Sequence, residues 1–169
     1  MIYTLILILN FLMPQTFNLS TSSKSDTVYH ESKKNAKTDI NISGFWEGTI
    51  SRDEGYGKRV TFEIEVILMQ KGKDITGVSI VRATDSGKTY SAKMDLVGKI
   101  KSSYLKYTET KILSSDPIPD AEWCIKKVEL IYKNTNNVPT LEGMWEGVTG
   151  SSRNCIPGRV SLKRKPPRV

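Results

Sequence analysis

The chain has 169 residues, enough for one domain with terminal extensions, and its 38% hydrophobic content can supply a packed core. The formal net charge is +7, and every charged residue from Arg153 onward is basic. This basic end could attract an anionic membrane surface, an acidic protein or nucleic acid, or could simply be a solvated tail. It holds no aromatic residue for base stacking, which argues against nucleic acid.

Histidine and cysteine, which often carry catalysis or bind metals, are scarce. The only histidine is His30, and the two cysteines are Cys124 and Cys155. A zinc site needs more ligands than these, and Ser-His-Asp or Cys-His catalysis needs a histidine within the folded domain. No glycine-rich phosphate loop separates a strand from a helix. We therefore expect no metal, no cofactor and no enzymatic activity.

The N-terminus predicts export. Residues 1–16 contain an apolar run, Thr4–Met13, which is too short to span a bilayer but suits the core of a secretory signal peptide. No basic residue precedes the run and no small-residue cleavage site is obvious, so a buried strand or an uncleaved anchor remains the alternative. We expect a secreted or periplasmic protein with no transmembrane span, in which a disulfide between the two cysteines is stable.

Residues 17–42 are rich in Ser, Thr, Asn and Lys, a composition typical of a flexible linker. From residue 43 the pattern becomes one of alternation, most clearly over Arg59–Met69, where every second residue is apolar. Alternation of this kind predicts strands with one dry and one wet face. We place strands at about 44–51, 58–70, 73–84, 88–100, 103–113, 122–133, 139–149 and 157–164.

Short turn sequences between these strands, such as Asp85–Lys88 and Asn134–Asn137, indicate hairpins. The sequence therefore predicts an all-β domain over residues 43–165, followed by a basic tail end at 166–169. We favour an antiparallel up-and-down barrel of about eight strands over a two-sheet sandwich, because closure removes exposed strand edges.

One short motif occurs twice, as Gly44-Phe45-Trp46-Glu47-Gly48 and as Gly143-Met144-Trp145-Glu146-Gly147. Within a strand, glycine and tryptophan of each copy share one face and glutamate points the other way. We interpret Gly44, Trp46, Gly143 and Trp145 as structural residues that pack the core. The alternative is that the indoles form an aromatic wall for an apolar ligand.

The Gly-x-Trp motif on the first strand of a predicted eight-strand meander resembles the calycin-like barrels, the group of lipocalins and avidins. The resemblance implies a lipocalin-like barrel, with Arg159 or Arg164 covering the first tryptophan and an opening at the end of the first hairpin loop. Avidin-like chains carry a biotin-binding Asn where this sequence has Gly48 and Gly147, which disfavours biotin. The motif also resembles the haem-binding nitrobindins, whose axial histidine this domain lacks.

Connections at one end of the predicted barrel are short, whereas three of the four at the other end are long, namely 52–58, 114–121 and 150–156. Long loops add no stability unless they form a surface. We therefore predict a binding face there, with Tyr56, Trp123 and Arg153 as contacts and the Cys124–Cys155 disulfide as a brace. Glu109 follows two inward-facing positions on its strand, so it is either a buried, paired carboxylate or a ligand anchor.

Together these features predict an exported, non-catalytic binding protein of the calycin-like type. Its partner would be a small apolar ligand or a protein, bound at the long-loop end. The alternative is a secreted or envelope protein-interaction module, such as a protease inhibitor, with a filled barrel. Small residues at Gly77, Ser79, Ala83 and Ala92 favour a hollow region if they face inward.

Overall fold

A computed structural model of the chain describes residues 40–166. Eight antiparallel strands form a closed barrel in sequence order, and no helix occurs within these residues. The strands are β1 Gly44–Asp53, β2 Arg59–Lys71, β3 Asp74–Asp85, β4 Lys88–Lys101, β5 Tyr104–Ser115, β6 Cys124–Thr135, β7 Val138–Thr149 and β8 Gly158–Arg164. The all-β up-and-down barrel is confirmed, and each predicted strand end lies within two residues of the observed one.

Alternation and turn chemistry explain these strands. In β2, Ile64, Val66 and Leu68 are buried while Glu63 and Glu65 lie on the outer face. Left-handed backbone at Asn136 and Asn137, with φ of 53° and 62°, makes the two-residue turn between β6 and β7. Such turns match the right-handed twist of the strands they join, which is why Asn and Gly are favoured in them.

The two ends of the barrel differ in how their strands are connected. Three tight turns, between β2 and β3, β4 and β5, and β6 and β7, lie at one end, which we call the closed end. The other end, which we call the long-loop end, carries the β1–β2, β5–β6 and β7–β8 loops and one short turn. The closed half of the barrel is filled by large apolar side chains, among them Trp46, Leu68, Ile75, Leu96, Leu105, Leu130, Leu141 and Leu162.

Trp46 closes this filled half. Its indole Nε1 donates to the carbonyl of Ile42 at 2.9 Å, and the guanidinium of Arg164 lies 5.7 Å from the ring centroid. Arg164 also donates to the carbonyls of Asn41 and Ser43. Of the two arginines proposed from sequence as a cover for this tryptophan, the structure selects Arg164. Gly44 leaves room for it, since a Cβ there would lie 3.2 Å from the arginine Nε.

The packed domain begins earlier than residue 43. Ile42 is fully buried and Ile40 packs against the core, and Gln70 fixes this segment by accepting from the Ile42 amide and donating to the Ile40 carbonyl. The final residues of the predicted linker thus belong to the barrel, because two apolar side chains in a polar stretch suffice to anchor it. The predicted signal peptide, residues 1–16, and the linker up to residue 39 lie outside the described residues.

The basic C-terminal end is partly engaged with the barrel. The Lys165 amide donates to the Phe45 carbonyl, and its ammonium forms an ion pair with Glu47. Residues 167–169 of the predicted tail end lie outside the described part. Within residues 40–166 no helix is long and apolar enough to cross a membrane.

Strands β5 and β6 are paired over only part of their length. Their ladder runs from Tyr104–Ile131 to Thr108–Lys127 and then stops, whereas β5 continues to pair with β4, and β6 with β7, toward the long-loop end. Register shifts in the β4–β5 ladder, on either side of Met94 and Asp95, accompany this separation. Beyond Thr108 and Lys127, β5 and β6 are therefore not paired through their backbones. We call this unpaired stretch the seam, and side-chain contacts bridge it.

Candidate functional site

A half-enclosed pocket of about 80 Å³ opens at the long-loop end. Three aromatic side chains line it, those of Phe62, Trp123 and Trp145. The remaining lining residues are Ile50, Arg52, Val81, Ala83, Ile118, Cys124 and Lys126. An apolar wall with few polar groups is the usual composition of a small-molecule site.

Lys126 brings a buried charge to this pocket. Its ammonium donates to Glu109 Oε2 at 2.9 Å and to the Cys124 carbonyl at 2.8 Å. Glu109 is fully engaged, because its other oxygen accepts from the Ser79 hydroxyl at 2.5 Å and Oε2 also accepts from the Lys126 amide at 2.8 Å. Only 5% of the Lys126 side chain and none of the Glu109 side chain is exposed.

This cluster bridges the seam where the β5–β6 ladder ends. The Glu109 carboxylate takes the place of a β5 carbonyl as acceptor for the Lys126 amide. Tyr107, the inward neighbour of Glu109, is buried and its hydroxyl makes no hydrogen bond within the described residues. Burial raises the pKa of that hydroxyl far above its usual value, and the nearby Glu109 carboxylate adds to the rise. Tyr107 therefore remains a protonated donor at any physiological pH.

The β5–β6 loop forms one wall of the pocket. Asp116 fixes it to β4, since its amide donates to the Ser91 carbonyl at 2.9 Å and its carboxylate accepts from the Ser91 amide and hydroxyl. The Trp123 indole donates to the Asp116 carbonyl at 2.8 Å. Ile118 reaches the pocket from the same loop. These contacts hold Trp123 over the opening.

A disulfide joins Cys124 to Cys155, with 6.3 Å between the Cα atoms; the pairing expected from sequence is confirmed. Cys124 and Cys155 lie on either side of β7, and the β7–β8 loop folds back along β7 to bring them close. The Cys155 amide donates to the Gly147 carbonyl, and Asn154 pairs with Val148. The bond therefore ties the β7–β8 loop to the first residue of β6, next to the pocket.

The structure gives the residues predicted to form the site different roles. Trp123 lines the pocket. Glu109 lies behind the lining as the partner of Lys126. Tyr56 stands fully exposed at the tip of the β1–β2 loop, and Arg153 forms an ion pair with Glu122 at 2.7 Å, which joins two loops. Neither Tyr56 nor Arg153 lines the pocket.

Arg52, Phe62 and Lys126 also line the pocket and were not proposed as contacts from sequence, whereas Trp145 was proposed as part of an aromatic wall only as the alternative to a packing role. Arg52 lies with its guanidinium 5.6 Å from the Phe62 ring centroid and pairs with Glu54. Trp145 donates its indole proton to the Ser51 carbonyl. The alternation of inward and outward residues along each strand could have indicated them, because each lies on the inward face near the long-loop end of its strand.

The two copies of the repeated motif occupy opposite ends of the barrel. Trp46 is the third residue of β1 and plugs the closed end, whereas Trp145 is the eighth residue of β7 and lines the pocket. Gly143 lets β6 approach closely, since a Cβ there would lie 1.9 Å from the Glu129 carbonyl oxygen.

A larger groove of about 510 Å³ lies on the outer wall beside the seam. It is lined by outward-facing residues such as Ile125, Lys127 and Glu146, and by no aromatic side chain. Within residues 40–166 no group of three or more His, Cys, Asp or Glu side chains could hold a metal ion. The end pocket, which combines aromatic walls with a buried charge, is the stronger candidate site.

Fold and site together define a small closed antiparallel β-barrel with an aromatic-lined pocket at one end. No family model matches the chain, and no curated protein matches it. The barrel is similar to the crystal structure of Rv2717c from M. tuberculosis, with a TM-score of 0.37 and 14% identity, over 74% of this chain and 93% of that chain.

Proposed function

We propose that this chain is an exported, non-catalytic binding protein that holds a small apolar ligand in the pocket at its long-loop end. The observation that carries the proposal is the pocket wall formed by Phe62, Trp123 and Trp145. Aromatic side chains provide large apolar contact areas, and burial of apolar area is the main source of affinity for such ligands. The modest volume suits one ring or a short branched chain, with the rest of the ligand extending toward the mouth.

A calycin-like barrel is the architecture that we propose for this function. Trp46 on β1 carries Arg164 from β8 over its ring, which is the cover that the resemblance to lipocalins implied. The pocket lies at the end that carries the first hairpin loop, as in that group. Inward-facing Ser79 and Ala92 are buried, and Ala83 lines the pocket, so small residues accompany the hollow region.

Export is supported by the apolar run Thr4–Met13 together with the Cys124–Cys155 disulfide, since disulfides persist mainly in oxidising compartments. N-terminal sequencing of protein recovered from the periplasm or medium tests it. We expect the sequence to begin after Met13. Recovery of the chain from the cytoplasm with its N-terminus intact would argue against export.

Ligand binding is tested by filling the pocket. Ala83→Leu places a leucine side chain among the lining residues, whereas Thr76→Leu places the same side chain on the outer face of the same strand. Titration with cumene, followed by tryptophan fluorescence, should show saturable binding to the wild type and to Thr76→Leu, and at least tenfold weaker binding to Ala83→Leu. Equal affinity in the two variants would contradict the proposal.

The second candidate is a protein-interaction or protease-inhibitor module with a filled barrel. The fully exposed Tyr56 at the tip of the β1–β2 loop favours it, because exposed aromatic residues are frequent anchors in interfaces. Replacing 54–58 with a two-residue turn removes Tyr56 but no pocket residue. Cumene binding should survive this change if the pocket is the site. Loss of a protein partner with retained cumene binding would assign the loop to that partner.

A further inference from the structure

We propose that the pocket recognises a neutral oxygen acceptor on its ligand, such as the carbonyl of a ketone, ester or amide, through the ammonium of Lys126. This inference rests on the proposed function, because it names the polar group of the ligand that the pocket would take. The rest of that ligand would be an aromatic ring or a short branched chain between Phe62, Trp123 and Trp145.

The donors of Lys126 provide the first argument. An ammonium has three protons to donate. Two go to strong acceptors, Glu109 Oε2 and the Cys124 carbonyl. The third acceptor within reach is Met94 Sδ at 3.7 Å, and a thioether is a weak acceptor. A buried lysine that lines a pocket thus has one donor with a poor partner, and a ligand oxygen would be a better one.

Charge balance selects a neutral acceptor over a carboxylate. The Lys126 ammonium is already neutralised by Glu109, which is itself buried. Arg52, the other cation that lines the pocket, is paired with Glu54. A ligand carboxylate beside Lys126 would leave the buried cluster with a net charge of −1, and uncompensated buried charge is costly. A carbonyl accepts the same proton without adding charge.

Glu109 and Ser79 are positioning residues in this arrangement. Glu109 accepts from both nitrogen atoms of Lys126, so it restrains the lysine side chain against its own backbone. Ser79, on β3, donates to the second carboxylate oxygen. A donor that is held in place before binding loses little conformational entropy when the ligand arrives.

Three probes of nearly equal shape test the inference: acetophenone carries the carbonyl, cumene is its apolar counterpart, and benzoate carries the charge. Affinities are measured by calorimetry at pH 7 for the wild type and for the double variant Lys126→Met/Glu109→Gln. In this variant, the side-chain amide oxygen introduced by Glu109→Gln still serves as acceptor for the backbone amide of residue 126. The ratio of acetophenone to cumene affinity should fall about tenfold in the variant, as expected for loss of a hydrogen bond to a charged donor.

Benzoate should bind the wild type more weakly than acetophenone. A ratio of acetophenone to cumene affinity that is unchanged in the variant, or tighter binding of benzoate than of acetophenone, would overturn the inference while leaving the pocket intact. If none of the probes binds, the proposed function and the inference both fail.

A measurement on the unaltered protein covers the case in which the double variant does not fold. The ¹⁵N signal of the Lys126 side chain should shift on addition of acetophenone and stay in place on addition of cumene. Cumene binding with no response of Lys126 to acetophenone would overturn the inference alone.

Discussion

Lys126 and Glu109 form an ion pair, with 2.9 Å between Nζ and Oε2, at the point where strands β5 and β6 cease to be paired. The Glu109 carboxylate also accepts from the Lys126 amide. One side chain therefore provides both the acceptor that a strand carbonyl would otherwise provide and the counterion of the lysine. The pair thereby joins the filled half of the barrel to the pocket above it.

Removing one member of the pair should be strongly destabilising. Lys126→Met leaves the Glu109 carboxylate buried without its cation, and we expect a loss of about 3–5 kcal/mol in the free energy of unfolding. Lys126→Met/Glu109→Gln removes both charges and should recover most of that loss. Urea denaturation measures both values.

The exposed pair of Lys133 and Glu142, with 2.7 Å between its charged atoms, is the matched control. Lys133→Met should cost less than about 1 kcal/mol, because water screens exposed ion pairs. Equal costs for Lys126→Met and Lys133→Met would show that the Lys126–Glu109 pair is hydrated.

The disulfide should contribute measurable stability. It closes a loop with a sequence separation of 31, for which the chain-entropy relation gives about 3–4 kcal/mol. Cys124→Ser/Cys155→Ser should lose about that amount in urea denaturation and should increase hydrogen exchange in the β7–β8 loop. Labelling of both thiols in unreduced wild-type protein would contradict the disulfide itself.

The closed end should depend on Arg164 and not on its neighbour Arg159. Arg164 covers Trp46 and donates to the Asn41 and Ser43 carbonyls. Arg164→Met should therefore cost about 1–2 kcal/mol, from one cation–π contact and the lost hydrogen bonds. Arg159→Met, on the outer face of the same strand, should stay within about 0.5 kcal/mol. Similar losses in the free energy of unfolding for the two variants would show that Arg164 does not stabilise the closed end.

Acid should loosen the contact between the β5–β6 and β7–β8 loops. Hydrogen bonds from the Ser151 amide and hydroxyl, followed by that from Arg153, lower the pKa of Glu122 from 4.5 to about 2. A carboxyl whose pKa is lowered by folding stabilises the folded state above its unfolded pKa, and this contribution disappears as the pH falls through the folded value. The stability difference between wild type and Glu122→Gln should therefore be present above about pH 4.5 and vanish near pH 2. A difference independent of pH would refute the Glu122 contacts.

The barrel could be predicted from the sequence because its signals are local. Alternation in β2 and turn residues such as Asn136 and Asn137 fix strands and hairpins without reference to distant parts of the chain. The disulfide pairing followed from there being two cysteines in a chain expected to be exported. The inward direction of Glu109 could be predicted because it lies at a spacing of two residues from Tyr107 and four from Leu105 on the same strand.

The pocket was harder to predict because it depends on which inward residues meet across the barrel. Trp145 belongs to the same motif as Trp46, yet its later position in its strand places it in the pocket wall. The sequence alone does not show where the β5–β6 ladder ends, so it does not single out Lys126 as the partner of Glu109. Tyr56 and Arg153 lie at the predicted end of the barrel, but Tyr56 is fully exposed and Arg153 pairs with Glu122, and neither lines the pocket.

The most direct test of the central claim uses the three indole protons of the protein as reporters. Trp123 and Trp145 line the pocket, whereas Trp46 lies under Arg164 at the closed end. In a two-dimensional ¹H–¹⁵N NMR titration with cumene, the Trp123 and Trp145 indole signals should shift together and saturate, while the Trp46 signal stays fixed. A saturable shift confined to Trp46, or no shift of the Trp123 and Trp145 signals at the solubility limit of cumene, would contradict ligand binding at the long-loop end.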